Sequence, residues 1–506
     1  MNLQSALSYS PQELKFGTSG RRGEVVHLTD LEIYINVLGE LEYLQSLDDI
    51  TRGDDFYYAL DLRPSSERLG RAIERAIRDA GMQPVNMGRI LTPALMYYAV
   101  TRGRGSIMVT GSHIPFDRNG YKLNTSRGEL LKEHEQPINE AVRRVRARIY
   151  EQDFAQSIFD ERGMFKPSGA ASFYADRYVD FFGEGPLAGL RLAVYQHSAV
   201  GRDMLTGILQ RLGAEVIPCG RSEQFVPIDT ENIEADQLAA IQQLASAAGP
   251  IDAVVSTDGD SDRPLILGVD NGAVHFFGGD LVGMIVAEFL GADAVVVPIT
   301  CNDAIDRGNL AKVLESKTKI GSPYVIAGME LARAKGRQAI CGWEANGGFL
   351  TGSDITRQGR ILKALPTRDA LLPILAVLTA SKEKGKPLME LFAELPQRFS
   401  RAALLKNYPR EQSKKIIEHF STTNDRSELE KIFSPAQGFS AIIKVDLTDG
   451  VRLYFANQDV VHFRPSGNAD EFRIYAVANS QERADEIAAF GIKEPDGLLR
   501  KLTTAI

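Results

Sequence analysis

Residues 253–263 read AVVSTDGDSDR, a run of small and β-branched residues that leads directly into a loop with three aspartates. Two other stretches have the same form: SIMVT at 106–110 runs into GSHIP, and QAICG at 338–342 runs into WEANGG. Open α/β sheets bind their ligands just beyond the carboxyl ends of such strands. We therefore expect the three loops to face one central cleft, each from a different domain.

Apolar strands alternate with amphipathic helices over most of the chain, which predicts βαβ units. The last hundred residues differ, because VRLYFANQDVVHFRPSG and EFRIYAVA alternate polar with apolar side chains as half-exposed antiparallel strands do. A helix is predicted to follow from Ser480. The predicted strands are 57–62, 106–110, 190–195, 253–257, 294–298 and 338–341, and the clearest helices are 66–80 and 202–212.

The length of 506 residues predicts several domains, at roughly 150 residues each. The predicted fold class is α/β, with three similar α/β domains that have mostly parallel mixed sheets, plus a C-terminal α+β domain, all around one central cleft. The predicted limits are 1–168, 169–290, 291–398 and 399–506.

Composition narrows the class of protein. A net charge of -8 argues against a partner such as nucleic acid or an anionic membrane, which needs a basic face. The three cysteines stand far apart without a CxxC pair, so neither a disulfide framework nor a zinc site is predicted. No signal peptide is visible at the start, and the longest apolar stretch, 370–380, is about half a membrane span. We expect a cytoplasmic protein.

The acidic loop predicts a metal site. Asp258, Asp260 and Asp262 stand at i, i+2 and i+4, and a hard divalent cation with oxygen ligands removes the repulsion among three close carboxylates. An EF-hand is excluded, because its sixth position would be Arg263 and its twelfth Val269. The alternative is a solvated acidic turn, since aspartates are common in turns.

The loop TGSHIPFDRNGYK, residues 110–122, places Ser112 and His113 after a strand and brings Lys122 back through an Asn-Gly turn. A serine nucleophile with His113 as its base is one interpretation. It lacks the GxSxG elbow of the α/β hydrolases. A serine that carries a phosphoryl group beside a cation, with Lys122 nearby, fits better.

Two further loops are suited to phosphate. FGTSGRRG at 16–23 supplies glycines, hydroxyls and Arg22, and RPSGN at 464–468 joins an arginine to a serine and a glycine. The P-loop ending in GK[ST] is absent from the sequence, so a nucleoside triphosphate is not predicted.

In this order, the motifs resemble those of the α-D-phosphohexomutases, which include phosphomannomutases and phosphoglucomutases. FGTSGRRG is similar to the family's TSGxRG loop, DLRPSS to its DxRxSS segment, and TGSHIPFDRNGYK to its TASHNPxxxNGxK active-serine motif. DGDSDR matches the DGDxDR metal loop, and RPSGNADEFRIY is similar to the RxSGTEPxxRxY phosphate loop. The resemblance covers essentially the whole chain.

The resemblance implies a role for each matching residue. Ser112 would bear the phosphoryl group and, with the three aspartates, would hold Mg²⁺. The reaction centre would be lined by Arg22, His113 and Lys122, with Arg263 beside it. The phosphate that does not react would be held by Arg464, Ser466, Gly467 and Asn468. The four predicted domains would then be active-serine, metal-binding, sugar-binding and phosphate-binding in chain order.

The sugar loop departs from the family pattern of GEESG, GEMSG or GEQSG. Here the residues are Gly342-Trp343-Glu344-Ala345-Asn346-Gly347. A shift of one position makes Glu344 and Asn346 the pair that contacts sugar hydroxyls, and without the shift Trp343 takes the place of the first glutamate. The shift is preferred, since a carboxylate and an amide can both bond vicinal hydroxyls. Gly111, Ile114 and the stretch 468–470 also depart from the pattern.

The resemblance implies a phosphohexomutase, with phosphomannomutase as the first candidate. It would interconvert hexose 1-phosphate and hexose 6-phosphate through a phosphoserine and a 1,6-bisphosphate, which also serves as primer. The alternatives are a phosphoglucomutase or dual-specificity mutase, a metal-dependent sugar phosphatase, and a non-catalytic sugar-phosphate sensor. The expected partner is a small sugar phosphate, and the expected state is a monomer or a homodimer.

Overall fold

The computed structural model describes residues 7, 9–17, 20–151, 169–231, 233–422, 426–466 and 470–504. Within these residues, four multi-stranded sheets follow one another along the chain, and each lies inside one of the four predicted segments. The predicted α/β class and the distinct C-terminal α+β domain are both found.

The first sheet has the strand order β1-β5-β4-β2-β3, with β6 paired to β5. Strand β2 runs parallel to both β3 and β4, whereas β5 is antiparallel to its neighbours. The strands are β1 (Arg21–Glu24), β2 (Asp55–Leu60), β3 (Gln83–Arg89), β4 (Ser106–Val109), β5 (Arg118–Thr125) and β6 (Gly128–Glu129). The helices are α1 (Asp30–Ser46), α2 (Ser66–Asp79), α3 (Thr92–Val100) and α4 (Glu135–Tyr150).

The second sheet has the order β11-β10-β9-β7-β8. Its parallel half is formed by β8, β7 and β9, and its antiparallel half by β9, β10 and β11. The strands are β7 (Arg191–His197), β8 (Glu215–Arg221), β9 (Ala253–Thr257), β10 (Pro264–Asp270) and β11 (Ala273–Phe276). The helices are α5 (Ala170–Phe182), α6 (Arg202–Arg211) and α7 (Ala235–Ala248).

The third sheet has the order β12-β13-β14-β17, with a separate hairpin of β15 and β16. The strands are β12 (Ala294–Val296), β13 (Ile340–Trp343), β14 (Phe349–Thr351), β15 (Ile355–Arg357), β16 (Arg360–Leu362) and β17 (Leu365–Asp369). The helices are α8 (Gly279–Leu290), α9 (Ser322–Ala334), α10 (Leu371–Lys384) and α11 (Leu388–Ala393).

The fourth sheet is antiparallel throughout, in the order β18-β22-β21-β20-β19. The strands are β18 (Phe399–Lys406), β19 (Ile442–Asp446), β20 (Val451–Phe455), β21 (Val460–Pro465) and β22 (Glu471–Ala478). The helices are α12 (Arg410–Thr422), α13 (Ser427–Ile432), α14 (Gln481–Ile492) and α15 (Leu498–Thr504). As predicted, Ser480 precedes a helix, and its side chain accepts a hydrogen bond from Arg483 N as an N-cap.

The three predicted functional loops share one position in the fold. Each joins two antiparallel neighbours, namely β4 to β5, β9 to β10 and β13 to β14. The first three sheets are therefore mixed, as predicted, because each loop returns the chain directly as an antiparallel hairpin instead of through a helix.

One hydrophobic cluster joins the first three domains, each of which also has a cluster of its own, whereas the cluster of the fourth domain is separate. A continuous cluster of buried side chains runs from Tyr57 in the first domain to Leu395 at the end of the third. A separate cluster extends from Leu405 to Leu502. The fourth domain is instead attached through polar contacts, in which Arg398 donates to Asp303 Oδ1 at 2.7 Å and to Gln458 O at 2.6 Å.

Helix α8 bears on the predicted domain limits. A Cβ on its Gly283 would lie 2.4 Å from the ring of Trp343, so this helix packs closely on β13 of the third sheet. We propose that the third domain begins near residue 278 instead of 291. The predicted limit at residue 168 lies outside the described residues, and the limit near 398 remains a prediction. Among the described residues, no helix is long and apolar enough to cross a membrane.

Candidate active site

Ser112 occupies a strained and buried position. Its φ is 57°, a left-handed conformation uncommon for a residue other than glycine, and its side chain has no exposed surface. Its backbone N–H donates to Thr110 Oγ1 at 2.7 Å. A costly conformation of this kind persists only where surrounding contacts impose it, and such positions cluster at functional sites.

Arg63, from the DLRPSS segment, organises the serine loop. The buried guanidinium donates to the carbonyl oxygens of Ser112 and Arg118, both at 2.8 Å, as well as to those of Ile114 and Pro115. A Cβ on Gly111 would lie 2.7 Å from Cζ of Arg63. Glycine at this position, where the family pattern has alanine, therefore makes room for the guanidinium that holds the loop.

The acidic loop meets Ser112 across the boundary between two domains. Ser112 Oγ donates to Asp258 Oδ2 at 2.6 Å. One carboxylate oxygen from each of Asp258, Asp260 and Asp262 lies within 4.8 Å of the others, and all three side chains are fully buried. The loop is fixed from within, since Asp258 Oδ1 accepts from the N–H groups of Asp262 and Arg263 at 3.1 and 3.2 Å.

Lys122 lies against the same aspartates. It is on β5, paired in register with Met108 of β4, and its Nζ is 2.7 Å from Asp260 Oδ2 and 2.5 Å from Asp262 Oδ2. Asp260 Oδ2 also accepts from Thr92 Oγ1, at 2.6 Å, at the start of α3. The ammonium group therefore partly neutralises the acidic loop, which settles the alternative of a solvated turn: these carboxylates are not solvated.

The donor set fits a hard divalent cation. Asp260 Oδ1 and Asp262 Oδ1 are buried and accept no hydrogen bond from the described residues. Burial, together with the charges of Asp260 and Asp262, raises the pKa of Asp258 well above its usual value. Burial acts to raise the pKa of Asp260, but the ion pair with Lys122, the hydrogen bond from Thr92 and the charge of Arg368 together lower it. Buried carboxylate oxygens that accept no hydrogen bond, beside a serine hydroxyl, suit Mg²⁺, which prefers oxygen ligands.

His113 is held by Arg263 and not by Ser112. Its Nδ1 is 2.8 Å from Arg263 Nη1 but 3.4 Å from Ser112 Oγ. Burial and the charges of Arg263 and Arg22 lower the pKa of His113 well below 6.5, so the ring is neutral. Since Nδ1 accepts from Arg263, Nε2 carries the proton and is a donor. The geometry does not support the Ser-His nucleophile pair, because the serine hydroxyl donates to Asp258 instead.

Arg22 completes the cationic side of the site. Burial and the neighbouring charges of Arg263 and Arg368 lower its pKa to about 10, so it stays charged at neutral pH. Arg22 and His113 both line a cavity of about 1220 Å³, whose other walls come from the second and fourth domains.

Arg368 is a site residue that the sequence reasoning missed. This buried residue on β17 pairs with Asp262 Oδ2 at 3.1 Å and with Glu344 Oε2 at 3.3 Å, so it joins the acidic loop to the sugar loop. Glu129 of the first domain accepts from Thr367 Oγ1 at 2.7 Å and holds this strand in place. Its own strand, LPTRD, is mostly polar, so the pattern of an apolar strand followed by a polar loop did not point to Arg368.

In the sugar loop, the structure separates Trp343 from Glu344. Trp343 is fully buried, stacks on Phe349 at 5.7 Å between ring centroids, and donates through Nε1 to Asp280 O at 3.1 Å. Glu344 points the other way, to Arg368. Asn346 Oδ1 accepts from Gly348 N at 3.0 Å, so this amide oxygen caps its own turn. The geometry favours the alignment in which Glu344, and not Trp343, takes the family's glutamate position.

We expect Trp343→Phe to lower stability without changing sugar recognition. The substitution removes buried ring atoms and the bond to Asp280 O, which should cost about 1–3 kcal/mol in the free energy of unfolding. Thermal unfolding and KM for the sugar phosphate should be measured together. A large rise in KM with an unchanged melting temperature would place Trp343 in the site and would contradict this geometry.

The phosphate loop is described in part. Arg464 Nε lies 3.3 Å from Asp449 Oδ1, and Ser466, which is buried, lines the 1220 Å³ cavity. Gly467 and Asn468 lie outside the described residues. Arg473, a second residue that was not selected, is paired in register with Arg464 and lines the cavity. Arg473 could have been found from the sequence, because it is the final arginine of the RPSGNADEFRIY motif.

Comparison with known proteins identifies the family. Models of the phosphoglucomutase/phosphomannomutase family match residues 13–148 (alpha/beta/alpha domain I), 176–271 (domain II) and 278–399 (domain III). A phosphomannomutase of Sinorhizobium fredii is 37% identical over 480 residues, covering 94% of this chain and 98% of its own length. A phosphomannomutase of Salmonella muenchen is 39% identical over 477 residues, 94% of each chain.

Solved structures share the fold. A phosphoglucomutase/phosphomannomutase family protein of Burkholderia thailandensis superposes with a TM-score of 0.72 at 20% identity, over 98% of both chains. An N-acetylphosphoglucosamine mutase of Aspergillus fumigatus, solved with GlcNAc-6P and magnesium, gives a TM-score of 0.55 at 17% identity, over 91% of this chain and 84% of its own.

The chain belongs to the phosphoglucomutase/phosphomannomutase family. The resemblance inferred from the motifs is therefore confirmed, as is the prediction of a phosphohexomutase, an isomerase that transfers a phosphoryl group within its substrate. The roles of the individual site residues remain predictions, although hydrogen bonds and ion pairs join the serine loop, the acidic loop and the sugar loop.

Proposed function

We propose that this protein is a phosphomannomutase that interconverts mannose 1-phosphate and mannose 6-phosphate through phosphorylated Ser112 and a hexose 1,6-bisphosphate. The observation that carries the proposal is the 2.6 Å hydrogen bond from Ser112 Oγ to Asp258, which joins the serine loop of one domain to the acidic loop of another. The phosphomannomutases at 37% and 39% identity support mannose as the sugar.

We propose Mg²⁺ as the metal, which would be held by a phosphoryl oxygen on Ser112 and by one oxygen from each of Asp258, Asp260 and Asp262. When bound, it supplies positive charge to the phosphoryl group in transfer, which needs charge neutralisation and positioning more than covalent chemistry. The unpaired buried oxygens of Asp260 and Asp262 support this assignment. So does the magnesium named for the Aspergillus fumigatus mutase.

The other charges around Ser112 come from the chain itself. Lys122 and Arg22 would stabilise the oxygens of the phosphoryl group as it passes between Ser112 and a sugar hydroxyl. Neutral His113 would donate from Nε2 to a phosphate oxygen, since Arg263 occupies Nδ1. Burial of Ser112 excludes water, which would otherwise hydrolyse the phosphoserine.

The phosphate that does not react would lie against the fourth domain. Arg464, Ser466, Gly467 and Asn468 form the proposed loop, and Arg473 adds a cation that faces the same cavity. The bisphosphate must present each of its two phosphates to Ser112 in turn. The phosphate loop therefore has to bind the other phosphate in either orientation of the sugar. A cavity of about 1220 Å³ leaves room for the hexose to turn over.

We expect Glu344→Gln to lower turnover on both mannose 1-phosphate and glucose 1-phosphate. Loss of the charge weakens a hydrogen bond to a sugar hydroxyl and breaks the ion pair with Arg368, for a fall of about 10- to 100-fold in kcat/KM. The measurement is the steady-state rate on each sugar. The two sugars differ only at C2, and we propose that Glu344 contacts another hydroxyl, so both rates should fall alike.

Phosphorylation of Ser112 by the bisphosphate should survive Glu344→Gln, which separates sugar recognition from the phosphoryl chemistry. Glu330→Gln, an exposed change on α9, is the matched control. Wild-type rates in Glu344→Gln on both sugars would remove Glu344 from the sugar site.

The proposed activity is tested by a coupled assay of the purified protein on mannose 1-phosphate, glucose 1-phosphate and glucosamine 1-phosphate, primed with a hexose 1,6-bisphosphate. We expect the isomeric 6-phosphate to form fastest from mannose 1-phosphate, with glucose 1-phosphate close behind. Release of inorganic phosphate in place of the isomer would indicate a phosphatase. Absence of any product would indicate a sugar-phosphate sensor.

We further propose that the protein acts in the cytoplasm, as a monomer or a homodimer. Its three cysteines are free thiols, which suits a reducing compartment. Light scattering on the eluted protein would decide between the two states.

A further inference from the structure

A short segment of the second domain, Asp229-Thr230-Glu231 between β8 and α7, lies between the sugar loop and the fourth domain. Thr230 is buried and donates through Oγ1 to Asn346 O at 2.8 Å, across the boundary between the second and third domains. Glu231 N donates to Asp229 Oδ1 at 3.1 Å, which closes the segment into a turn. The segment thus forms a wall that a hydrogen bond ties to the backbone of the sugar loop.

Glu231 faces the large cavity from this wall. It lines the same space as Arg22, His113, Ser466 and Arg473. Its carboxylate makes no hydrogen bond or ion pair with the residues that the structure describes. Burial and the charge of Asp229 raise the pKa of Glu231 to about 7, and the charges of Arg473 and Arg263 act in the opposite direction.

We infer that Glu231 is a specificity-determining residue that accepts a hydrogen bond from one hydroxyl of the hexose. This inference rests on the proposed function, because it takes a hexose phosphate as the substrate. The Glu231 carboxylate faces the cavity, where a hydroxyl of a bound ligand can donate to it. A phosphate would be repelled by a carboxylate, whereas a sugar hydroxyl donates to it readily.

The position of Glu231 allows the second domain, as well as the third, to contribute to sugar recognition. Glu344 lies on the third domain and is already paired with Arg368, while Glu231 comes from the second domain and has no such partner. Two carboxylates on different domains would contact different hydroxyls of one ring. A buried polar partner dedicated to one hydroxyl can discriminate strongly against a substrate that lacks it.

The test compares the full-length protein with Glu231→Ala and Glu231→Gln on mannose 1-phosphate and on its 2-deoxy, 3-deoxy and 4-deoxy analogues. For wild type, we expect one deoxy analogue to lose about 10- to 100-fold in kcat/KM through the missing bond to Glu231. On the parent sugar, Glu231→Ala should have a kcat/KM lower than that of wild type by a similar factor. On that one deoxy analogue, Glu231→Ala should have the same kcat/KM as wild type, because the bond is already missing. Glu231→Gln should keep part of the activity, since an amide oxygen still accepts.

Glu223→Gln, an exposed change in the same connection, is the control and should behave as wild type on all four sugars. Equal losses of Glu231→Ala on the parent and on every analogue would overturn the inference and leave only a structural role. So would wild-type kinetics in Glu231→Ala. Failure of the proposed function can be told apart from failure of this inference, because the wild-type protein would then isomerise no hexose phosphate at all.

Discussion

Replacing Ser112 by alanine is expected to abolish mutase activity, with a loss on the order of 10⁴-fold or more in kcat. The hydroxyl is the only group in the proposed reaction that bears the phosphoryl group, and its Oγ lies 2.6 Å from Asp258. Intact-mass measurement after incubation with a hexose 1,6-bisphosphate should show one added phosphoryl group on wild type and none on Ser112→Ala.

The left-handed backbone at Ser112 calls for a second variant. Ser112→Gly tolerates a φ of 57° without strain and should be equally inactive, so that misfolding cannot account for the loss. Ser172→Ala, an exposed serine at the start of α5, is the matched control and should accept the phosphoryl group as wild type does. A Ser112→Ala protein that still gained one phosphoryl group would overturn the assignment.

Removing the metal is expected to have an effect of comparable size. Excess chelator should abolish turnover, and added Mg²⁺ should restore it, because three buried carboxylates would otherwise face the incoming phosphate. Asp260→Asn removes one charged ligand and should weaken Mg²⁺ binding by about tenfold or more. The measurements are activity against Mg²⁺ concentration and direct titration of the protein with Mg²⁺.

The change at Asp260 also removes the ion pair with Lys122. A separate variant is therefore needed to distinguish loss of the metal from loss of this ion pair. Lys122→Met keeps all three carboxylates and should lower kcat while Mg²⁺ still binds. Asp270→Asn, an exposed change at the end of β10, should leave both quantities unaltered. Full activity in excess chelator would exclude the proposed metal role.

The secondary structure around the site was predictable because its signals are local. Residues 253–257 were predicted as a strand and form β9, while 66–80 and 202–212 were predicted as helices and form α2 and α6 within one residue at each end. Where the prediction was less accurate, as at 338–341 against Ile340–Trp343, the strand extends into the loop motif. Pairing with β12 and β14 decides that limit, and pairing depends on distant residues.

The residues of the proposed active site could be selected from motifs, but their partners could not. Ser112, the three aspartates and Lys122 stand in recognisable sequence contexts, and the structure brings all of them together. Arg368 has no such context, because its role arises from being 3.1 Å from Asp262 and 3.3 Å from Glu344, which are 106 and 24 positions away along the chain. Glu231 was missed for the same reason.

The sequence by itself determined the family, the four-part order of the chain and the loops that hold the site. These features depend on residue types at short spacing, where backbone geometry and side-chain chemistry are sufficient. Only the tertiary structure decided that Trp343 is buried in the core while Glu344 pairs with Arg368, since both alignments of the sugar loop were compatible with the motif. The reason is physical: adjacent residues on a strand point to opposite faces, and packing against Gly283 and Phe349 selects which face is buried.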